Sequence, residues 1–116
     1  MERRFERADE ILGADVRSPE GSLLGQIDDL VIDRFTGQVR YVIIDFGYLL
    51  DQDPLDTHFP LPWPMLNYNT AGGYYTLSVS EAQLNNAPDF DDASLEDRNW
   101  ERRIHAHYKV WPYWAY

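Results

Sequence analysis

The sequence predicts an all-β domain of tightly curved strands, followed by a C-terminal helix and an aromatic tail. Its clearest pattern is residues 25–33 and 38–47, two runs rich in β-branched residues, separated by Arg34, Phe35, Thr36 and Gly37. This is a β-hairpin in which Gly37 supplies the positive φ of a type I turn followed by a one-residue bulge. A second hairpin is predicted from residues 67–69 and 74–79, joined through Gly72 and Gly73. The second arm of the first hairpin is apolar on both faces. Val39, Tyr41 and Ile43 point one way, and Val42, Ile44 and Phe46 the other. A solvated edge strand would alternate, so this strand is central, with its outer face covered by the rest of the chain or by a second subunit.

The remaining elements follow in order. Residues 1–7 alternate charges around Phe5 and read as a mobile N-terminal arm. Residues 8–13 have room for one helical turn anchored by Ile11 and Leu12. Residues 15–17 form a short strand, and residues 18–21 a turn in which Pro19 presets φ. Gly25 suits a bend or bulge in a curved strand, and the slip of apolar parity from Ile27 to Leu30 places another bulge at Asp28 and Asp29. Residues 51–56 are an acidic loop. Residues 57–66 carry three prolines and so make an edge strand or crossing segment, with Phe59, Leu61 and Trp63 on one side. Ser80 caps a short helix over 81–85. The composition turns acidic at 91, where the domain boundary is placed. Ser94 with Asp97 has the form of a capping box opening a helix to about residue 107, with Trp100, Ile104 and Tyr108 as its apolar stripe.

Composition narrows the function. With 116 residues and no cysteine, the chain is one domain that folds without disulfides or thiolate metal sites. No apolar run is long enough to cross a bilayer, so a soluble, cytoplasmic chain without membrane insertion is expected. The formal charge is −10, and no Lys or Arg lies between Arg40 and Arg98. A phosphate backbone is repelled by such a surface, which argues against direct nucleic-acid binding.

Chemical motifs are sparse. The carboxylates of 51–56 alternate as in a calcium loop, but Asp56 stands where an EF-hand needs glycine and Pro62 where it needs glutamate. His105 and His107 are two residues apart, about 200° around a helix, and cannot chelate one ion there. His58 is isolated. No nucleophile elbow, phosphate loop or metalloprotease helix is present, and neither enzyme activity, cofactor nor metal is expected. The tail, residues 108–116, holds Tyr108, Trp111, Tyr113, Trp114 and Tyr116, too many aromatics for a solvated segment. It either straps its own domain or docks on a sister subunit or another protein.

Residues 11–16, Gly21, 24–33, 36–44, Pro62, Trp63, Leu66 and 87–90, taken in this order, resemble a PRC-barrel domain over roughly residues 8–90. The resemblance implies a small, highly curved all-β barrel, as in the cytoplasmic part of the photosynthetic reaction-centre H subunit and the C-terminal half of a ribosome maturation factor. Neither a membrane helix ahead of it nor a second RNA-processing domain beside it is expected. The chain is therefore most similar to the stand-alone bacterial type, a lone barrel with an aromatic tail. That type implies interaction rather than catalysis, with no catalytic residues to carry over.

The expectation is thus an N-terminal arm (1–7), a PRC-type barrel (8–90) and an acidic linker, helix and aromatic tail (91–116). The expected function is non-enzymatic, as a protein–protein interaction module that self-associates, a dimer first, and binds a further protein partner. The contact residues expected are Tyr41, Ile43, Phe46, Trp63, Trp111, Tyr113 and Trp114. The alternative is an accessory factor in RNA or ribosome metabolism, through Arg98, Arg102 and Arg103.

Overall fold

The computed structural model describes residues 5–50 and 57–115. The acidic loop 51–56, with its calcium-loop resemblance, and residues 1–4 of the arm lie outside these, as does Tyr116.

A helical turn, α1 (Ala8–Ile11), leads into β1 (Asp15–Arg17), and the tight turn at 18–22 reverses the chain into β2 (Leu23–Ile32). β2 and β3 (Val39–Asp45) form the central hairpin. Its turn closes through Gly37 N–H to Asp33 O (2.7 Å) and Asp33 N–H to Gln38 O (2.8 Å), with Gly37 at φ +76°. The Asp33 carboxylate accepts from the Phe35 N–H at 2.9 Å. That bond, foremost, holds its pKa below the usual carboxylate value.

The bulge expected at the Asp28–Asp29 pair is present. Ile27 pairs with Ile44 and Asp29 with Ile43, which leaves Asp28 as the extra residue. Further irregularities in register lie at Val16/Arg17 and Val31/Ile32, and each adds bend. Gly25 is the tightest point. A Cβ there would stand 2.0 Å from Asp45 O, so only glycine lets β2 approach the end of β3 this closely.

β4 (His58–Pro62) pairs with β3, and a 3₁₀ turn (Trp63–Met65) links it to β5 (Asn67–Asn69), which forms a hairpin with β6 (Tyr74–Thr76). β6 returns parallel to β1, giving the order β4-β3-β2-β1-β6-β5. β4 is thus an end strand, as its prolines require. Pro60 and Pro62, two apart, remove donors from one side of the strand, and an end strand has one side to spare. Trp63 is not on that strand, because Pro64 and the turn carry it round the corner. β6 also stops at Thr76, short of the run to 79 that its sequence predicts.

The sheet curls strongly without closing. Laid flat, five inter-strand spacings would separate β4 from β5 by about 24 Å. The link 63–66 spans at most about 18 Å even when extended, and part of it is coiled. The two edges must therefore approach, and Trp63 of the link packs on Tyr75 of β6 with ring centroids 5.8 Å apart. Among the described residues β4 and β5 are not hydrogen-bonded neighbours, so the expected barrel is an open, curled six-stranded sheet.

Its concave interior is filled by Val16, Leu24, Ile27, Val42, Ile44, Phe46 and Leu61. Helix α2 (Glu81–Asn85) begins with a reciprocal box in which Ser80 Oγ accepts from Gln83 N–H and Gln83 Oε1 accepts from Ser80 N–H, and it adds Leu84 to the core. Helix α3 (Arg98–Tyr108) belongs to the same core, because Trp100, Ile104 and Tyr108 are buried in one cluster with the sheet residues. Its start differs from the expected Ser94 cap. Ser94 exchanges hydrogen bonds with Asp91 around a 3₁₀ turn (Asp92–Glu96), and Asp97 caps α3 by accepting from Asn99 N–H at 2.8 Å. Both ends of the motif are short polar residues, and the one adjoining the apolar stripe caps the helix.

Candidate functional site at the C-terminal helix

Helix α3 covers the outer face of β3, which explains why that strand is apolar on both sides. Trp100, Ile104 and Tyr108 at four-residue spacing present one stripe to the sheet. Trp100 packs edge-on against Tyr41 at 5.5 Å and at a tilt against Phe90 at 5.4 Å. The helix ends at Lys109, which takes a left-handed conformation (φ 57°, ψ 43°), and Val110 N–H then returns to His105 O at 3.0 Å.

Beside this stripe lies a buried polar cluster. Glu101, only 8% exposed, accepts on Oε1 from the hydroxyls of Tyr41 and Tyr113, both at 2.7 Å. Its Oε2 accepts from Arg98 Nε at 2.9 Å. His105 Nε2 is 3.1 Å from the Tyr41 hydroxyl, and Nδ1 is 3.2 Å from Val110 O. The four contacts among Tyr41, Tyr113, Glu101, His105 and the Val110 carbonyl need four hydrogens. Two phenols and a neutral imidazole supply three. The short bonds to Glu101 place both phenolic hydrogens there, so neutral His105 donates at only one of its two longer contacts.

The electrostatics follow. Burial, reinforced by Glu101, pushes Tyr41 well above the usual phenol range. The same two causes push Tyr113 up to about 12. Burial holds His105 below its usual value, against the opposing pull of the Val110 carbonyl and Glu101. At neutral pH the phenols are therefore donors and Glu101 is an acceptor saturated by internal partners. The cluster ties strand, helix and tail together across 60 residues of sequence between Tyr41 and Glu101.

The tail folds onto its own chain. The Arg40 guanidinium lies 4.1 Å from the Tyr113 ring centroid, and that of Arg98 lies 4.0 Å from the Trp114 centroid. Trp114 also meets the His105 ring edge-on at 5.4 Å.

The contact residues expected from sequence separate into three groups. Tyr41 and Phe46 are buried, so neither presents a surface to a partner: Tyr41 is under α3, and Phe46 is inside the sheet against Phe59. Ile43, Trp63, Tyr113 and Trp114 are half-buried. Trp111 alone of the seven stands out, 75% exposed. Two sets of residues are additional to that expectation. Glu101 is the hub of the cluster, flagged in the sequence only by its place beside Trp100 of the stripe. The other set is Ile32, Phe35 and Leu95, which rim a groove of about 370 Å³ between the hairpin tip and the start of α3, floored by Arg40, Arg98 and Tyr113. Phe35 is 95% exposed. An aromatic in a four-residue polar turn was its signal.

His105 and His107 face different partners, since His107 Nε2 lies 2.7 Å from Gln83 O. His58 stands 3.8 Å from both Asp28 and Asp45 carboxylates at the bulge. Among the described residues no group of three potential ligands is gathered to hold a metal ion, and no helix is long and apolar enough to cross a membrane.

An open curled sheet organised around one bulged hairpin, with a parallel return strand, defines a small β domain of the barrel-like class. The PRC-barrel domain model matches residues 3–84, and the chain belongs to that family. Comparison with curated proteins finds none that matches. Helix α3 and the tail, which cover the outer face of β3, lie beyond the matched residues.

Proposed function

We propose that the protein is a non-enzymatic interaction module that self-associates through the hairpin tip. The observation that carries this reading is the exposure of Phe35, with Ile32 and Leu95 beside it. A fully exposed aromatic next to two aliphatic side chains is the composition of an interface anchor, and isolated solvation of such a group is unfavourable. The occupant is a second copy of the chain. The molecule carries a charge of −10 and repels its own kind over most of its surface. At this groove, however, Arg40 and Arg98 accompany Asp33, and Arg34 adjoins Phe35 in the turn. A patch of mixed sign is self-complementary across a two-fold axis, as an isologous dimer requires.

Each Phe35 ring buried at the interface contributes about 1.5–3 kcal/mol, and a two-fold dimer buries two. Phe35→Ser therefore weakens dimerisation by roughly a hundredfold or more. Light scattering on a sizing column, over a dilution series from about 100 µM to 1 µM, is the test. A concentration-dependent dimer that Phe35→Ser converts to monomer supports the reading, and a wild-type protein that is monomeric throughout the series overturns it.

A further inference from the structure

The opposite flank of α3 carries a second feature, an open cleft of about 370 Å³ between the helix and the tail. Arg102, His105, Ala106 and Lys109 recur at three- and four-residue spacing and so share one helical face. Trp111 and Trp114 line the same cleft, together with the small Ala106. No Asp or Glu lines the cleft. In a chain with twice as many acidic as basic residues, a cleft lined by two cations without a carboxylate is unexpected (20 against 10). Neither Arg102 nor Lys109 forms an ion pair among the described residues. Arg102 donates through Nη1 to Asn99 Oδ1 at 2.9 Å, and this fixes the guanidinium while leaving its Nε–Nη2 edge for a two-point partner. Lys109 occupies the left-handed position where helices ordinarily place glycine.

We propose that this cleft binds a singly charged aromatic carboxylate, its ring between Trp111 and Trp114 and its carboxylate held by Arg102 and Lys109. The aromatic walls select a flat apolar body. The anion is a carboxylate rather than a phosphate, because the cleft sits at the C-terminal end of α3. The helix dipole there opposes a dianion about twice as strongly as a monoanion, and no array of free backbone N–H groups is available to hold one. The carbonyls of Ala106 and His105 are already met by the N–H groups of Lys109 and Val110, which lessens the opposing field that the two cations must overcome.

The test is a titration of the full ¹⁵N-labelled chain with indole-3-acetate, alongside indole and acetate as separate probes. Saturable shifts of the Trp111 and Trp114 indole N–H and the Ala106 amide are expected for indole-3-acetate, with affinity at least about tenfold above that of either fragment. Arg102→Gln combined with Lys109→Asn, both at exposed positions and with asparagine tolerant of the left-handed backbone, leaves the spectrum dispersed and reduces that affinity about tenfold or more. Indole binding as tightly as indole-3-acetate, undiminished binding by the double variant, or no saturation up to about 10 mM would overturn the proposal.

Discussion

Removing Glu101 is the sharpest perturbation of the tie between helix and sheet. Its carboxylate accepts from Tyr41, Tyr113 and Arg98 at 2.7, 2.7 and 2.9 Å. In Glu101→Ala, Tyr41 keeps His105 as a partner but loses a charge-assisted bond worth about 1.5 kcal/mol. The half-exposed Tyr113 regains some water and loses about 1 kcal/mol. Arg98 is also half-exposed, so its ion pair is screened by solvent and adds no more than about 0.5 kcal/mol. Lost packing of the buried methylenes adds about 1 kcal/mol, and release from burying a carboxylate returns a comparable amount. The net loss is about 2–3 kcal/mol. The unfolding entropy for 116 residues is about 0.24 kcal/mol/K, so Tm falls by roughly 8–12 °C. Urea unfolding should show the same loss as a lower midpoint at unchanged slope. A midpoint within about 0.5 kcal/mol of wild type would refute the role assigned to Glu101. It would mean that Trp100, Ile104 and Tyr108 hold the helix unaided.

Two further predictions follow from the same packing. Deleting residues 97–116 exposes Tyr41 and removes Trp100, Ile104 and Tyr108 from the core. Each large buried side chain is worth about 2–5 kcal/mol, so the remaining chain should lose its cooperative unfolding transition by circular dichroism. A truncated chain that melts like wild type would show that α3 is dispensable to the fold. The second concerns pH. Burial lowers the His105 pKa in the folded state, so the unfolded chain takes up the proton first. The contribution is fully present above the unfolded value of about 6.5 and is lost as pH falls through the window below it. His105→Gln should remove this component, so the wild type should lose more stability than the variant between about pH 7.5 and 5.5. Parallel losses in the two proteins would contradict the assignment.

The curled sheet was largely legible because its signals are local. Gly37 and the polar turn set the hairpin, the parity slip after Ile27 marked the bulge at Asp28, and Ser80 with Gln83 marked α2. The prolines of 57–66 placed β4 at an edge for the same reason. What covers the outer face of β3 was not legible. Tyr41 and Ile43 show that a cover is needed, but the same apolar face fits a tail, a helix or another subunit. The choice depends on Tyr41 meeting Glu101 and His105 across some sixty residues of sequence, which no periodicity records. The contact residues expected from sequence fall in the most aromatic segments for that reason. Large aromatics mark burial inside a chain as readily as between chains, and Tyr41 and Phe46 are inside. Turn chemistry accounts for the neighbours of Phe35 and leaves its side chain unexplained. The cap of α3 moved from Ser94 to Asp97 because two overlapping short polar motifs compete there, and the register of Trp100 on the sheet decides between them.

The central claim, that two copies meet at the hairpin tip, is tested most directly by cross-linking, since the chain has no cysteine of its own. Arg34→Cys places one thiol beside Phe35, and Glu20→Cys places one in the turn at the other end of β2, roughly 30 Å away along a ten-residue strand. Under mild oxidation Arg34→Cys should give a covalent dimer that Phe35→Ser suppresses, while Glu20→Cys remains monomeric. Equal cross-linking at both positions, or none at Arg34→Cys, would contradict the account.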